Sequence, residues 1–195
     1  MIYISIDIET TSIYPERGQI VEFAAIIEDT KKKLPFEEIP KFTKIIKSDS
    51  YKCDIFPIQM HKRIWDKLNL VNSMTKEEQR ENNVIDVSEL AEAFFFFLHE
   101  NGLGDKKHIK ISVAGKNVAG FDLKWINHHV PRWGEFIQVR QRVLDPAILF
   151  WEPLLDEELP NLEKCKERAG IENTAVSHDA LEDAWDVIQV LRTKY

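Results

Sequence analysis

The order of hydrophobic patterns along the chain predicts an α/β fold. Segments with strand character come first, at residues 2–9, 20–27 and 42–46, and helical segments with further short strands follow them. Three strands followed by alternating helices and strands are typical of α/β proteins. The 195 residues contain no internal repeat and no low-complexity linker. We therefore expect a single domain over residues 1–195.

The first three strands are predicted from alternation and from turn residues. Along residues 2–9 one face carries only isoleucine, and the other carries polar or aromatic groups. The isoleucines are Ile2, Ile4, Ile6 and Ile8, and the opposite face carries Tyr3, Ser5, Asp7 and Glu9. Residues 20–27 are almost continuously apolar, as expected for a strand that is covered on both faces. Gly18 and the polar residues 28–33 predict turns, so we expect an antiparallel meander.

The later elements are predicted from helical periodicity. Helices are expected at about 87–100, 120–130, 161–169 and 179–192, with strands near 109–114 and 143–144. Gly170 is expected to end the third of these helices at its C′ position. Residues 50–85 lack clear periodicity in places, and we expect them to form a helical insertion. Phe94–Phe97 cannot all lie on one side of a helix, so core packing is favoured over a dimer interface, which remains open.

Composition and charge exclude several classes of protein. The formal net charge of −7 argues against a broad basic surface that grips duplex nucleic acid. Two cysteines, Cys53 and Cys165, are too few for a disulfide framework or a thiolate metal site, and we expect them to be reduced in the cytoplasm. No apolar run is long enough to cross a bilayer, and the first residues lack the basic start of a secretory signal peptide.

Two carboxylates stand on the polar face of the first predicted strand. Asp7 and Glu9 are two residues apart, so both side chains project from the same face. They also lie near the C-terminal end of the strand, where open α/β sheets place ligands. Neighbouring carboxylates repel each other, and such a pair needs either a raised pKa or a cation. An isolated Asp-x-Glu is usually a solvated strand end, but the uniform isoleucine face indicates a well-ordered strand here.

Three further polar residues stand at helix starts or on helix faces. Asp122 falls in an apolar row of a predicted helix, where a carboxylate is costly unless paired or metal-bound; stabilisation by the helix dipole is the alternative. Asp183 falls at the edge of the buried face of the last helix. His178 can approach Asp183 only from the turn before that helix. Ser177 or Asp179 would then be the N-cap, and the histidine would be exposed and suited to proton transfer.

Together these residues resemble the motifs of the DEDDh branch of the DnaQ-like exonucleases, which includes proofreading exonucleases, RNase T and oligoribonuclease. The three motifs stand here as Ile6-Asp7-Ile8-Glu9-Thr10, Asn117-Val-Ala-Gly-Phe121-Asp122 and His178-Asp179-Ala180-Leu181-Glu182-Asp183. Each motif alone is weak, but their joint order along the chain is specific. Three residues separate Asn117 from the Phe-Asp pair, where proofreading subunits commonly have two and oligoribonuclease-like members tolerate three. The resemblance implies an RNase H-like fold, a mixed five-stranded sheet flanked by helices.

The resemblance also implies a site for two divalent metal ions. Asp7 would bridge both ions, Glu9 and Asp183 would complete one site, and Asp122 would act at the second. Oxygen ligands of this kind suit Mg²⁺ or Mn²⁺, about 3.5–4 Å apart in two-metal hydrolases. His178 would be the general base that deprotonates the attacking water.

Four residues are expected to bind the terminal nucleotide: Thr10, Thr11, Met60 and Asn117. Met60 belongs with His61 and Trp65 to a segment that covers the last nucleotide in related enzymes, although core packing of a small helix is an equal alternative. The basic residues Lys124, Arg132, Arg140 and Arg142 could guide a phosphate backbone, and a solvated surface is the default interpretation.

The expected activity is 3′–5′ hydrolysis of single-stranded DNA or RNA ends, with a slight inclination to short RNA from the spacing after Asn117. Two alternatives remain open: a non-catalytic subunit of a polymerase or another nucleic-acid complex, and a metal-dependent nucleotide phosphatase. A homodimer or a polymerase partner is compatible with the sequence, and no membrane partner is expected.

Overall fold

The computed structural model describes residues 1–104, 107–175 and 177–195, in which strands come first and then alternate with helices. The strands are β1 (Ile2–Thr10), β2 (Ile20–Asp29), β3 (Lys41–Lys47), β4 (Val84–Asp86), β5 (Ile109–Ile111), β6 (Val113–Ala114) and β7 (Ile137–Val139). The helices are α1 (Ile55–Met60), α2 (Lys62–Val71), α3 (Lys76–Glu81), α4 (Val87–Glu100), α5 (Asp122–His129), α6 (Trp133–Phe136), α7 (Pro146–Leu149), α8 (Leu162–Arg168) and α9 (Ala180–Arg192).

A five-stranded sheet in the order β4-β3-β2-β1-β6 forms the centre of the fold. β2 runs antiparallel to both β1 and β3, which confirms the predicted meander. β4 and β6 add to the two edges in parallel, so the sheet is mixed. β5 and β7 form a separate parallel pair. The α/β class and the mixed five-stranded sheet flanked by helices are thereby confirmed.

Some short strands differ from the prediction. The strand expected at 109–114 is divided at Ser112, because β5 pairs with β7 whereas β6 pairs with β1. The strand expected at 143–144 contributes a single bridge, from Leu144 to Ala114. β4 falls inside the segment expected to be a helical insertion. Strands of two or three residues carry too little alternation to be distinguished from loops in a sequence.

Helices cover both faces of the sheet. The isoleucine face of β1 packs against α4 and α5, in a core that includes Phe94 and Trp125. The opposite face of β1 packs against α9, in a core that includes Tyr3 and Ile188. Phe94 and Phe95 are buried, whereas Phe96 is 53% exposed, so the phenylalanine run is mainly a core feature, as favoured from the sequence.

The segment between β3 and β4 contains the helices α1, α2 and α3. α2 packs Ile64 and Leu68 onto Val21 and Ile45 of the sheet. This contact fixes the start of α2 near the end of β1. The single-domain organisation, with residues 50–85 as an insertion, stays a prediction. None of the described helices is long and apolar enough to cross a membrane.

Candidate active site

Asp7 and Glu9 project from the face of β1 that α9 covers. On the same face Ser5 Oγ donates a hydrogen bond of 2.8 Å to the carbonyl oxygen of Ala184. This bond fixes α9 against β1 beside Asp183, the residue that precedes Ala184. Alternation along β1 and one hydrogen bond to the helix therefore bring the first and third motifs together.

The third carboxylate of the site comes from the first turn of α9. Oxygen atoms of Asp7, Glu9 and Asp183 all lie within 4.8 Å of one another. We call these three residues the carboxylate cluster. Glu9 and Asp183 are each 7% exposed, and Asp7 is partly exposed. The predicted meeting of these three side chains is thus observed.

Asp122 approaches the cluster from the edge of β1. β6 pairs with β1 only at Ile4 and Ser5, so the edge of β1 beyond these residues has no neighbouring strand in the described part of the chain. At this edge Ile8 donates its backbone N–H to Asp122 Oδ1 at 3.1 Å. The carboxylate therefore takes the place of a neighbouring strand. Asp122 itself does not belong to the group of described residues whose ligand atoms all lie within 4.8 Å of one another.

The turn before α5 determines where Asp122 points. Asn117 adopts a left-handed backbone with φ of 54°, and its N–H donates to Asp145 Oδ2 at 2.9 Å. A Cβ on Gly120 would lie 2.2 Å from Asn117 Oδ1, so a larger residue at that position would require the Asn117 side chain to move. Asn117 thus shapes the turn that presents Asp122 to β1.

Burial and mutual repulsion keep protons on these carboxyl groups. Burial, followed by the charges of Asp122 and Glu9, raises the pKa of Asp7 well above its usual range. Burial and the charge of Asp183 raise the pKa of Glu9 to about 8. Burial raises the pKa of Asp183 to about 7, and burial also raises the pKa of Asp122 to about 7. At neutral pH the cluster therefore strongly favours a bound cation, either protons or a metal ion.

The cluster fits a divalent metal ion by a second criterion. Asp183 Oδ1 is buried and has no hydrogen-bond partner among the described residues. An unpaired buried carboxylate oxygen is costly, and metal coordination would satisfy it. The donor set of the cluster is made only of carboxylate oxygens, which Mg²⁺ and Mn²⁺ prefer.

His178 lies in the loop directly before α9. Its side chain is exposed, and its backbone is left-handed with φ of 54°. Asp179 is the N-cap, with its side chain accepting hydrogen bonds from the N–H groups of Leu181 and Glu182. The histidine therefore lies outside the helix, as the spacing to Asp183 requires.

Comparison with known families bears directly on this arrangement. The family model described as Exonuclease (RNase_T) matches residues 4–191, which include all three motifs. The chain belongs to this exonuclease family. A search of curated proteins found no match.

Two solved structures share the fold of this chain. The crystal structure of cell-death related nuclease 4 (CRN-4) aligns with a TM-score of 0.60 and 16% identity, and covers 98% of this chain and 62% of that chain. The zinc ion bound form of the E. coli ExoI–ssDNA complex aligns with a TM-score of 0.60 and 19% identity. This alignment covers 98% of this chain and 40% of that chain. The chain therefore spans less than two thirds of the length of either neighbour.

His61 was expected from the sequence only as part of a segment over the last nucleotide, and its contact with Glu9 was not predicted. It is 5% exposed, and its Nε2 lies 3.4 Å from Glu9 Oε2. Burial, together with the nearby His178, lowers the pKa of His61 to about 4. The imidazole is therefore neutral at physiological pH and contacts Glu9 without forming an ion pair. Its spacing of three and seven residues from the buried Ile64 and Leu68 is the signal that places it, as the N-cap of α2, in line with the inner face of that helix.

The two threonines expected to bind the terminal nucleotide use their hydroxyl groups internally. Thr10 Oγ1 donates to the carbonyl oxygen of Ser12 at 2.7 Å, and Thr11 Oγ1 donates to that of Lys52 at 2.6 Å. Both side chains are buried. They shape the loop after β1, and nucleotide binding by them stays a prediction.

The other two candidate binding residues are less buried. Met60 ends α1 and is partly exposed beside His61, whereas Trp65 packs edge-on against Tyr51 with ring centroids 5.1 Å apart. The side chain of Asn117 is exposed above the turn that leads to Asp122. Nucleotide contacts by Met60 and Asn117 stay predictions.

Proposed function

We propose that this exonuclease hydrolyses phosphodiester bonds from the 3′ end of single-stranded nucleic acid in a metal-dependent reaction. The observation that carries the proposal is the convergence of Asp7, Glu9 and Asp183 within 4.8 Å. Ionising three buried or partly buried carboxylates at this separation without a cation is costly. A non-catalytic subunit would gain nothing from such a cluster, and would lose stability through it.

The residues that would hold metal are the carboxylate cluster and Asp122. Asp7, Glu9 and Asp183 would hold one divalent ion, and Asp7 and Asp122 would hold a second, with Mg²⁺ or Mn²⁺ preferred over Zn²⁺ by the oxygen donors. Bound divalent ions of this kind neutralise charge on the phosphate and lower the pKa of a bound water.

The side chains around the cluster suggest their own roles. His178 is exposed in the loop before α9, the helix that carries Asp183, so it could accept a proton from water and release it to solvent. His61 is neutral and contacts Glu9, and it would hold the carboxylate in one orientation without adding positive charge. Of the two histidines, His178 would therefore be the one that removes a proton from water.

The positions of the basic residues favour a substrate that is bound mainly at its terminal nucleotides. Arg140 and Arg142 line a cavity with Met1, near the start of β1. That position is five strand residues or more from Asp7, on the order of 17 Å away. Arg132 is paired with Glu135 at 2.8 Å. With a net charge of −7, the exonuclease offers few cations to a long phosphate backbone near the site.

A digestion panel tests the proposal. Short DNA and RNA strands labelled at the 5′ end are incubated with Mg²⁺, with Mn²⁺ or with EDTA, beside the Asp7→Asn variant as the inactive control. We expect a ladder that shortens from the 3′ end, only with metal, and no cleavage of circular single strands. Cleavage of circles, release of phosphate from mononucleotides alone, or no turnover of any strand would overturn it. Comparison of the rates on the RNA and DNA strands shows which sugar is preferred.

A further inference from the structure

Arg63 on α2 makes ion pairs with two different elements. Its Nη2 lies 2.8 and 2.6 Å from the two carboxylate oxygens of Glu22 on β2. The same nitrogen lies 2.8 Å from Asp179 Oδ2, at the start of α9. One guanidinium therefore joins the segment between β3 and β4, the sheet and the helix that carries Asp183.

Glu22 completes this connection from the sheet. It is opposite Glu9 in the register of β1 and β2, and its side chain is only 3% exposed. Its Oε2 also accepts the N–H of Ala180 at 3.3 Å. Burying this carboxylate without a partner would be strongly destabilising, and Arg63 supplies the compensating charge.

His178 directly precedes the residue that Arg63 binds. Its left-handed backbone, with φ of 54°, is unfavourable for a residue with a side chain. Such a conformation persists only where the surrounding structure fixes it. On the C-terminal side of His178, Asp179 is held by Arg63 and by the first N–H groups of α9, and its own N–H donates to Ser177 Oγ at 3.3 Å.

We propose that Arg63 is a positioning residue that holds His178 in its reactive location through Asp179 and Glu22. This inference rests on the proposed function, because it assumes that His178 takes part in the reaction. Arg63 would act on the histidine through the backbone of Asp179 and would make no bond to substrate.

The alternative role of Arg63 is direct contact with a substrate phosphate, since its side chain is 42% exposed. The two roles change different kinetic constants. A positioning residue affects the chemical step, so its loss lowers kcat with little change in KM. Loss of a phosphate contact raises KM and reduces the dependence of binding on salt.

The first experiment measures kcat and KM for three variants. Arg63→Met removes the guanidinium, and Asp179→Asn removes the ion pair but keeps an N-cap acceptor for α9. Lys62→Met is the matched control, because Lys62 is the neighbouring residue of α2, with an exposed pair to Asp66. We expect kcat to fall roughly tenfold to a hundredfold in the first two variants, as for a misplaced catalytic group. The control should retain normal kcat.

The second experiment combines Arg63→Met with His178→Ala. If Arg63 acts through His178, it has nothing left to position in the double variant, and kcat should fall no further than about twofold below His178→Ala alone. A full additional loss in the double variant, or a raised KM with unchanged kcat, would overturn the proposal.

A third measurement does not depend on turnover. Hydrogen exchange of the Ala180 amide, which donates to Glu22, should be faster in Arg63→Met, while calorimetry should show a similar affinity for Mg²⁺. If exchange is unchanged, the positioning role is refuted. If His178→Ala by itself has normal activity, the proposed function of His178 fails, and this outcome is separate from that of Arg63.

Discussion

Replacing Asp183 with asparagine removes one negative charge from the carboxylate cluster and keeps the shape of the side chain. Asp183 is 7% exposed, and burial raises its pKa from 3.8 to about 7. The ionised form is therefore less favourable in the folded protein than in the unfolded chain. In the absence of metal, the variant should be more stable than the wild type at pH 8.

The magnitude follows from the difference in pKa. A tenfold change in proton affinity corresponds to about 1.4 kcal/mol, so the ionised Asp183 carboxylate costs up to about 4 kcal/mol in the folded state. Counterions and relaxation of the neighbouring carboxyl groups reduce this cost, and we expect a stabilisation of about 1–3 kcal/mol. Because the folded pKa is raised, the wild type loses stability as the pH rises from about 4 to about 7. The difference between the two proteins should therefore grow over this window and continue to change up to about pH 8, because the charge of Asp183 also raises the pKa of Glu9.

Urea denaturation in EDTA at several pH values between 5 and 8 measures this difference. Glu182→Gln, an exposed change in the same turn of α9, is the control and should show no growth with pH. Adding Mg²⁺ should reverse the order at pH 8, because binding to the folded state stabilises the wild type more. A variant that is less stable than the wild type at pH 8 without metal, or a difference that does not change with pH, would refute the reasoning.

Four further outcomes are expected. His178→Ala should lower kcat by roughly a hundredfold with little change in calorimetric Mg²⁺ affinity, and a loss of metal binding would make it a ligand. Asp7→Asn should abolish turnover while its thermal unfolding in EDTA remains cooperative; near-normal hydrolysis would contradict the site. The value of kcat/KM should change little between oligomers of two and about twenty nucleotides, and a steep rise would reveal an extended binding surface for the phosphate backbone. Mg²⁺ affinity should increase as the pH rises to about 8, where Glu9 loses its proton, and an affinity independent of pH would refute the raised pKa.

Local patterns were sufficient to predict much of the site. Alternation along β1 places Asp7 and Glu9 on one face, and the periodicity of the last helix places Asp183 at the edge of its buried side. Both rules depend only on residues close together in the chain. The left-handed turn at His178 was not predicted in detail, but the spacing to Asp183 required the histidine to lie outside the helix.

Other parts of the site depend on contacts between distant segments. His61 contacts Glu9, and Arg63 contacts Glu22 and Asp179. These partners are far apart in the sequence, so no local pattern predicts the contacts. For Arg63, the sequence signal that could have been used is a glutamate within an apolar strand such as β2. A charge in that environment requires a partner, but only the fold identifies which cation supplies it.

The same burial that raises these pKa values connects protonation, metal binding and folding. A carboxylate cluster that must lose protons before it binds metal releases them as the ion enters, so its metal affinity depends on pH. Arg63 makes its ion pairs with Glu22 and Asp179, and not with a residue of the cluster. If Arg63 paired with Glu9 instead, the cluster would be stable without metal and would bind it less tightly. Arg63 therefore stabilises the buried Glu22 of the sheet by direct contact, whereas among the described residues the cluster makes no ion pair with a lysine or an arginine.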